Sequence, residues 1–167
     1  MSSHIDAKEA EPGSGVRFDH KADNGFDLKI IDKERAIVEG TPKRDKVAIV
    51  GFATSSRDLA PFDDPSYEIW TLNQIYRHVP RCSRHFDIHS YWEEDNVEGT
   101  DHRGWIRDCP RPVYMHDTEK DLPNSVRYPI EKVIEMAGID YFTSTVAFEV
   151  GLAMLEGFKT IGLYGID

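Results

Sequence analysis

The chain has 167 residues, 40% of them hydrophobic and 11% aromatic, which suits one domain with a true core and a tail. A formal charge of −10 and an isoelectric point near 5.1 exclude a surface built to coat nucleic acid, whose phosphates demand basic patches. No apolar run approaches the roughly 20 residues of a membrane span, the opening MSSHIDAKEAEPGSG lacks the apolar segment of a secretory leader, and two cysteines without C-x-x-C spacing, Cys82 and Cys109, read as reduced thiols of a cytoplasmic protein.

Residues 1–45 are rich in charge, glycine and serine, with short apolar patches at 15–18 (GVRF), 26–31 (FDLKII) and 36–38 (AIV). Such a composition buries too little surface to order itself, so a flexible N-terminal arm is predicted, its patches pairing as strands or docking on the body. The arm is either a solvated tail or a device for oligomerisation or partner docking.

Residues 46–51 (KVAIVG) form a short uninterrupted apolar run, the pattern of a strand buried on both faces. It enters residues 51–58 (GFATSSRD), where a Rossmann-type domain carries its phosphate loop. Gly51 is the single glycine there, so G-x-G-x-x-G and a standard dinucleotide fingerprint are absent. Thr54, Ser55 and Ser56 offer hydroxyls and backbone N–H groups, with Arg57 as a cation; such a loop either cradles a phosphate or caps the next turn.

Residues 59–66 (LAPFDDPS) are loop, and 67–72 (YEIWTL) a second strand. Asn73 ends it with an amide able to read a base or ribose edge, or to close a turn. A helical turn at 75–79 stops at Pro80. Residues 83–89 (SRHFDIH) read as a third strand, with Phe86 and Ile88 on one face and His85, Asp87 and His89 on the other. No fourth ligand is placed beside those three, so no metal site is predicted. His89, with Ser90, falls at the strand's carboxyl end and is the candidate acid/base, because imidazole transfers protons near neutral pH.

The acidic start of 91–108 reads as a solvated face and its end as helical. Residues 112–116 (PVYMH) give a fourth strand, 121–129 a loop, and 130–137 (IEKVIEMA) an amphipathic helix stopped by Gly138. The final stretch, 141–167 (YFTSTVAFEVGLAMLEGFKTIGLYGID), reads as turn, helix, tight turn and buried strand. Thr143, Ser144 and Thr145 are placed to cap the helix, Gly157 to end it, and Asp167 falls beyond the carboxyl end of the strand. In open parallel sheets ligands bind beyond the carboxyl ends of the strands. Asp167 and the helix start are therefore site markers.

Strand 46–51 with its Ser/Thr loop, the TLN strand end, and STVAFEVGLAMLEGFKTIGLYGID together resemble Rossmann-like proteins of the DUF115 and 6-hydroxymethylpterin pyrophosphokinase-like group. The last piece is also similar to family 42 sialyltransferases, and the whole of 46–167 resembles phage-type proteins of this kind. The resemblance implies a site for a nucleotide or nucleotide-sugar. In it Gly51 with Thr54, Ser55 and Ser56, and Asn73, contact the nucleotide; Thr143, Ser144 and Thr145 lie near its phosphates; and Asp167 is the strand-end acid. The relatives continue past the position of Asp167 with elements that carry catalytic groups, so by this resemblance residues 46–167 read as a C-terminally truncated domain.

The expectation is a three-layer, Rossmann-like α/β domain with a mostly parallel sheet of about five strands. Its leading function is nucleotide or nucleotide-sugar binding in a glycosyltransferase-like, metal-free site. Two alternatives stay open: a non-enzymatic binding or virion-associated docking module acting through the arm, and a pterin or nucleoside diphosphate-transfer enzyme, which would want Mg²⁺.

Overall fold

The computed structural model describes residues 29–32, 37–39, 44–88 and 101–167. Within the arm, β1 (Lys29–Asp32) pairs antiparallel with β2 (Ile37–Glu39), with a bulge between Ile30 and Asp32. The second and third apolar patches thus supply each other's hydrogen-bond partners. The first patch, 15–18, lies outside the described residues.

Six strands form one wholly parallel sheet: β3 (Lys46–Val50), β4 (Tyr67–Leu72), β5 (Arg84–Phe86), β6 (Val113–Met115), β7 (Ser125–Arg127) and β8 (Thr160–Tyr164), in the spatial order β7-β6-β5-β4-β3-β8. β3 lies between β4 and β8, with Ala48 beside Ile69 and Gly162, and residues 47–50 are fully buried. That central position is what an unbroken apolar run requires.

Three sequence expectations need correction. Residues 121–129 are not all loop, because Ser125–Arg127 pairs with β6 and becomes the sixth strand. The third strand is Arg84–Phe86 rather than 83–89, since only that stretch pairs with β4. And β8 is not buried: it has a strand neighbour on one side only, leaving Leu163 about half exposed.

The connections dictate where a crevice opens. From β3 to β7 the chain adds each strand on the same side. It then crosses back through α2 (Ile130–Ala137) and α3 (Thr145–Glu156) to place β8 on the far side of β3. Strand order reverses between β3 and β8, so that junction is the topological switch point. α2 and α3 cover one face. Val133, Leu152 and Ala153 pack there on Val47, Ile49, Trp70, Phe86, Tyr114 and Val126. On the other face Ala48, Val50 and Ile69 meet Ala60, Ile75 and Tyr76 from 3-10 turns, and α1 (His102–Asp108) adds Trp105 and Ile106. These layers make an α/β, Rossmann-like domain. Among the described residues no helix is long and apolar enough to cross a membrane.

Both long-helix ends follow their caps. Ser144 Oγ accepts the Ala147 N–H, while Gly157 at φ 78° turns the chain tightly into β8. α3 can lie close on its neighbours because Gly151 has no Cβ; one placed there would meet Val133 Cγ1 at 2.7 Å. At the amino half of the sheet Arg84, almost fully buried, holds α3 down. It donates to Glu68 at 2.9 Å, to Glu156 at the end of α3 at 2.6 Å, and to the Tyr114 hydroxyl at 3.2 Å. Glu68 also accepts the Trp70 indole N–H at 2.7 Å. Every charge in this network has an opposite charge or a dipole against it, which a buried ion needs.

Candidate functional site

The switch point joins the two chain segments that the sequence singled out. Gly51 donates its N–H to Tyr164 O and Ala53 donates to Gly165 O. The Gly165 N–H donates to Ser56 Oγ at 2.8 Å, and Ser55 Oγ lies 2.8 and 2.7 Å from the two carboxylate oxygens of Asp167. The approach is too close for side chains. A Cβ on Gly51 would sit 2.5 Å from Gly165 O, and one on Gly165 2.6 Å from Gly51 O, where φ is also +67°. Gly51 therefore serves the junction of β3 with β8, its own N–H engaged there. Arg57 is engaged too, donating to Asp58 at 2.9 Å. That leaves exposed hydroxyls and one carboxylate as the chemistry of this corner: Thr54, Ser55 and Asp167 are solvent-exposed and Ser56 half-buried.

Asn73 stands next door, at the carboxyl end of β4. It is the one non-glycine residue with positive φ, 47°, among the described residues. Asn tolerates this left-handed conformation better than most, and such backbone positions concentrate at functional sites. Its side chain is half-buried.

α3 feeds β8 through a tight turn, so it runs antiparallel to the strands and starts at the same carboxyl edge. Thr143 and Ser144 are exposed and Thr145 half-buried. The first turn carries no acid, which leaves its positive dipole end without a negative charge in that turn, the arrangement that favours an anion. One turn further in, Glu149 is fully buried, and among the described residues neither carboxylate oxygen has a hydrogen-bond partner. Burial pushes its carboxyl well above the usual range, toward the protonated form.

A second polar group, of which sequence reasoning singled out only His85 and Asp87, sits on the opposite face at the end of β5. His102 Nε2 lies 2.6 Å from Asp87 Oδ2, and His102 Nδ1 lies 3.2 Å from the Tyr76 hydroxyl. Tyr76 stacks on Trp105 at 3.7 Å between ring centroids. Beside them His85 Nδ1 lies 2.9 Å from Thr71 Oγ1. Burial and the nearby His102 push the His85 imidazole well below its usual pKa. All five of these hydrogen-bonding residues are buried. This chain of contacts pins the start of α1 to the carboxyl end of β5 and so positions elements rather than touching solvent. The alternation of His85 and Asp87 on one strand face was visible in the sequence; their partner His102 was not, because it arrives from another element.

Among the described residues no group of three or more His, Cys, Asp or Glu is placed to hold a metal ion. His89, the candidate acid/base, lies outside the described residues, as does Ser90. Of the remaining candidates, Gly51, Ser55, Ser56 and Asp167 are joined by direct hydrogen bonds or backbone contact, and Thr54 lies in the same loop. Asn73 ends the adjacent strand, and Thr143, Ser144 and Thr145 share the same edge. Comparison of the chain with family models, with curated proteins and with solved structures finds no match.

Proposed function

We propose that the carboxyl edge of the sheet binds a nucleotide or nucleotide-sugar, in a site of glycosyltransferase-like character. The observation that carries this reading is the convergence of the β3 loop and the end of β8 at the switch point, where Ser55 meets Asp167. The chemistry divides naturally between the two sides. A carboxylate flanked by hydroxyls accepts and donates hydrogen bonds to ribose or sugar hydroxyls. The acid-free first turn of α3 supplies N–H groups for phosphate oxygens. Asn73 offers a paired donor and acceptor between them. Charge developing on a departing phosphate would be held by these fixed dipoles, and His89 is the proposed proton donor or acceptor. The resemblance of residues 141–167 to the transferase group points the same way.

The test is thermal unfolding with CMP, UMP, CDP and UDP at millimolar concentration, with and without EDTA. Binding to the folded state raises the melting temperature by mass action. The reading expects a shift that survives EDTA. A shift abolished by EDTA would favour the diphosphate-transfer alternative, and no shift with any nucleotide would contradict a nucleotide site.

A further inference from the structure

We propose that β8 is an interface: its outer side pairs antiparallel, across a twofold axis, with β8 of a second copy of this chain. The inference is independent of the nucleotide reading and comes from a contrast between the two outer strands of the sheet. An outer strand exposes a row of backbone N–H and C=O groups that invites further pairing, and a protein that keeps such a strand solvated blunts it by shortness, charge or proline. β7 is blunted in each of these ways. It has three residues, lies between Pro123 and Pro129, and carries Arg127, which donates to Glu131 and lies 3.7 Å from Asp117. β8 has none of these devices. Its five residues, TIGLY, hold no charge and no proline, and it follows β3 in unbroken register. Among the described residues no strand lies on its other side.

The backbone shows which groups of β8 are open. The Thr160 N–H donates to Asp45 O, and Tyr164 O accepts the Gly51 N–H. Residues 160, 162 and 164 therefore turn their backbone polar groups to β3, and Ile161 and Leu163 turn theirs outward. Two copies related about Gly162 let Ile161 exchange both of its bonds with Leu163 of the partner subunit, and the reverse. The same register sets these two apolar side chains opposite one another on the face that α3 covers, where Leu163 is 51% exposed.

Charge selects the occupant. Two copies at −10 each repel unless they meet on a neutral strip with matched ends. From Gly157 to Asp167 the only charged residues are Lys159, just before the strand, and Asp167, beyond its carboxyl end. Both are exposed. Opposite signs at opposite ends match a second copy only when it runs antiparallel. Lys159 then falls across from Gly165 of the partner subunit and diagonal to Asp167 of the partner subunit, within reach of a long side chain. Its bond to Asp45 joins two exposed side chains and does not hold it from this contact.

The experiment is sedimentation equilibrium of the full chain over about 5–500 μM, the range of a small, strand-pair contact. A monomer–dimer equilibrium is expected. Leu163→Lys supplies the charge that β8 lacks and should keep the protein monomeric throughout, with a melting temperature within about 3 °C of wild type at the lowest concentration. Lys159→Glu and Asp167→Lys should each weaken dimerisation about three- to thirtyfold, through two like-charge contacts per dimer. An equimolar mixture of those two variants should regain wild-type assembly, because both contacts of a mixed pair join opposite charges. Wild type that stays monomeric at about 500 μM overturns the proposal and leaves β8 to a different occupant. A dimer untouched by Leu163→Lys puts the contact elsewhere and overturns it as well. Assembly beyond the dimer overturns the twofold pairing, and a mixture no stronger than its components overturns the antiparallel orientation.

Discussion

On the face that α3 covers, the two ends of the sheet treat buried polar groups in opposite ways. Toward the amino ends, Arg84, Glu68, Trp70, Tyr114 and Glu156 satisfy one another, and α3 is clamped by its last turn. Toward the carboxyl ends, Glu149 has no partner among the described residues, Asn73 holds a left-handed backbone, and hydroxyls and Asp167 face solvent. An edge that closes its hydrogen bonds internally has nothing left for a ligand. The difference assigns stability to the amino edge and leaves the carboxyl edge as the one the proposed nucleotide site would use, although the same helix and the same strands build both.

The comparison breaks first at Arg84. Arg84→Leu leaves Glu68 buried with its cation gone, which should cost about 3–5 kcal/mol. Replacing Glu68 by Met and Arg84 by Leu together should cost far less, because no fully buried charge is then stranded and Glu156, partly exposed, can turn to solvent. Urea unfolding of the single and double variants measures this, and a double variant as unstable as the single one would show that packing, not charge pairing, sets the value of the clamp.

At the carboxyl edge the prediction has the opposite sign. Glu149 is held above its unfolded value of 4.5. The folded state therefore retains a proton that the unfolded chain has lost, and stability falls as pH rises from about 4.5 toward the folded pKa. Glu149→Gln removes that slope. It should match wild type below about pH 4.5 and exceed it by a margin that grows as pH rises toward the folded pKa, because the amide has no proton to lose. His85 acts on the acid side. Its pKa is depressed from 6.5, so the unfolded chain takes up protons first and stability falls as pH drops below about 6.5. Unfolding curves from pH 4 to 9 for Glu149→Gln and wild type separate the two slopes; a Glu149→Gln curve parallel to wild type would contradict the account.

Much of the architecture was legible because it follows local rules. The apolar run of β3, the caps Ser144, Gly138 and Gly157, and the period of α2 are written in neighbouring residues, and both glycines adopt the positive φ that such caps need. β7 was not legible. Ser-Val-Arg becomes a strand only because β6 lies beside it, a tertiary fact. The apolar composition of β8 suggested burial, but position in the sheet, which composition does not encode, leaves it at the edge. In the site, the loop 51–58 and Asp167 were separately visible, while their contact depended on the crossover that returns β8 to β3. Glu149 did carry a signal, a lone charge inside an apolar helix.

Smaller effects sharpen the carboxyl edge. Ser144→Ala removes the cap on Ala147 and should cost about 0.5–2 kcal/mol of stability. If Ser144 also serves a ligand, affinity in the folded fraction falls as well; a cap alone would leave it unchanged. Asn73→Gly keeps the left-handed backbone accessible while deleting the amide. It should alter stability by only a few tenths of a kcal/mol, as removal of a left-handed Asn for Gly relieves strain at some entropic cost. Its ligand affinity should drop by about 0.5–1.5 kcal/mol, one hydrogen bond.

The central claim, that the carboxyl edge forms one crevice for a nucleotide, is tested most directly by calorimetric titration of the preferred nucleotide into Asn73→Gly and Ser144→Ala, corrected for folded fraction. The two positions come from distant parts of the chain and meet only if the edge is a single site. The account predicts weaker binding in both variants. Wild-type affinity in both would contradict it.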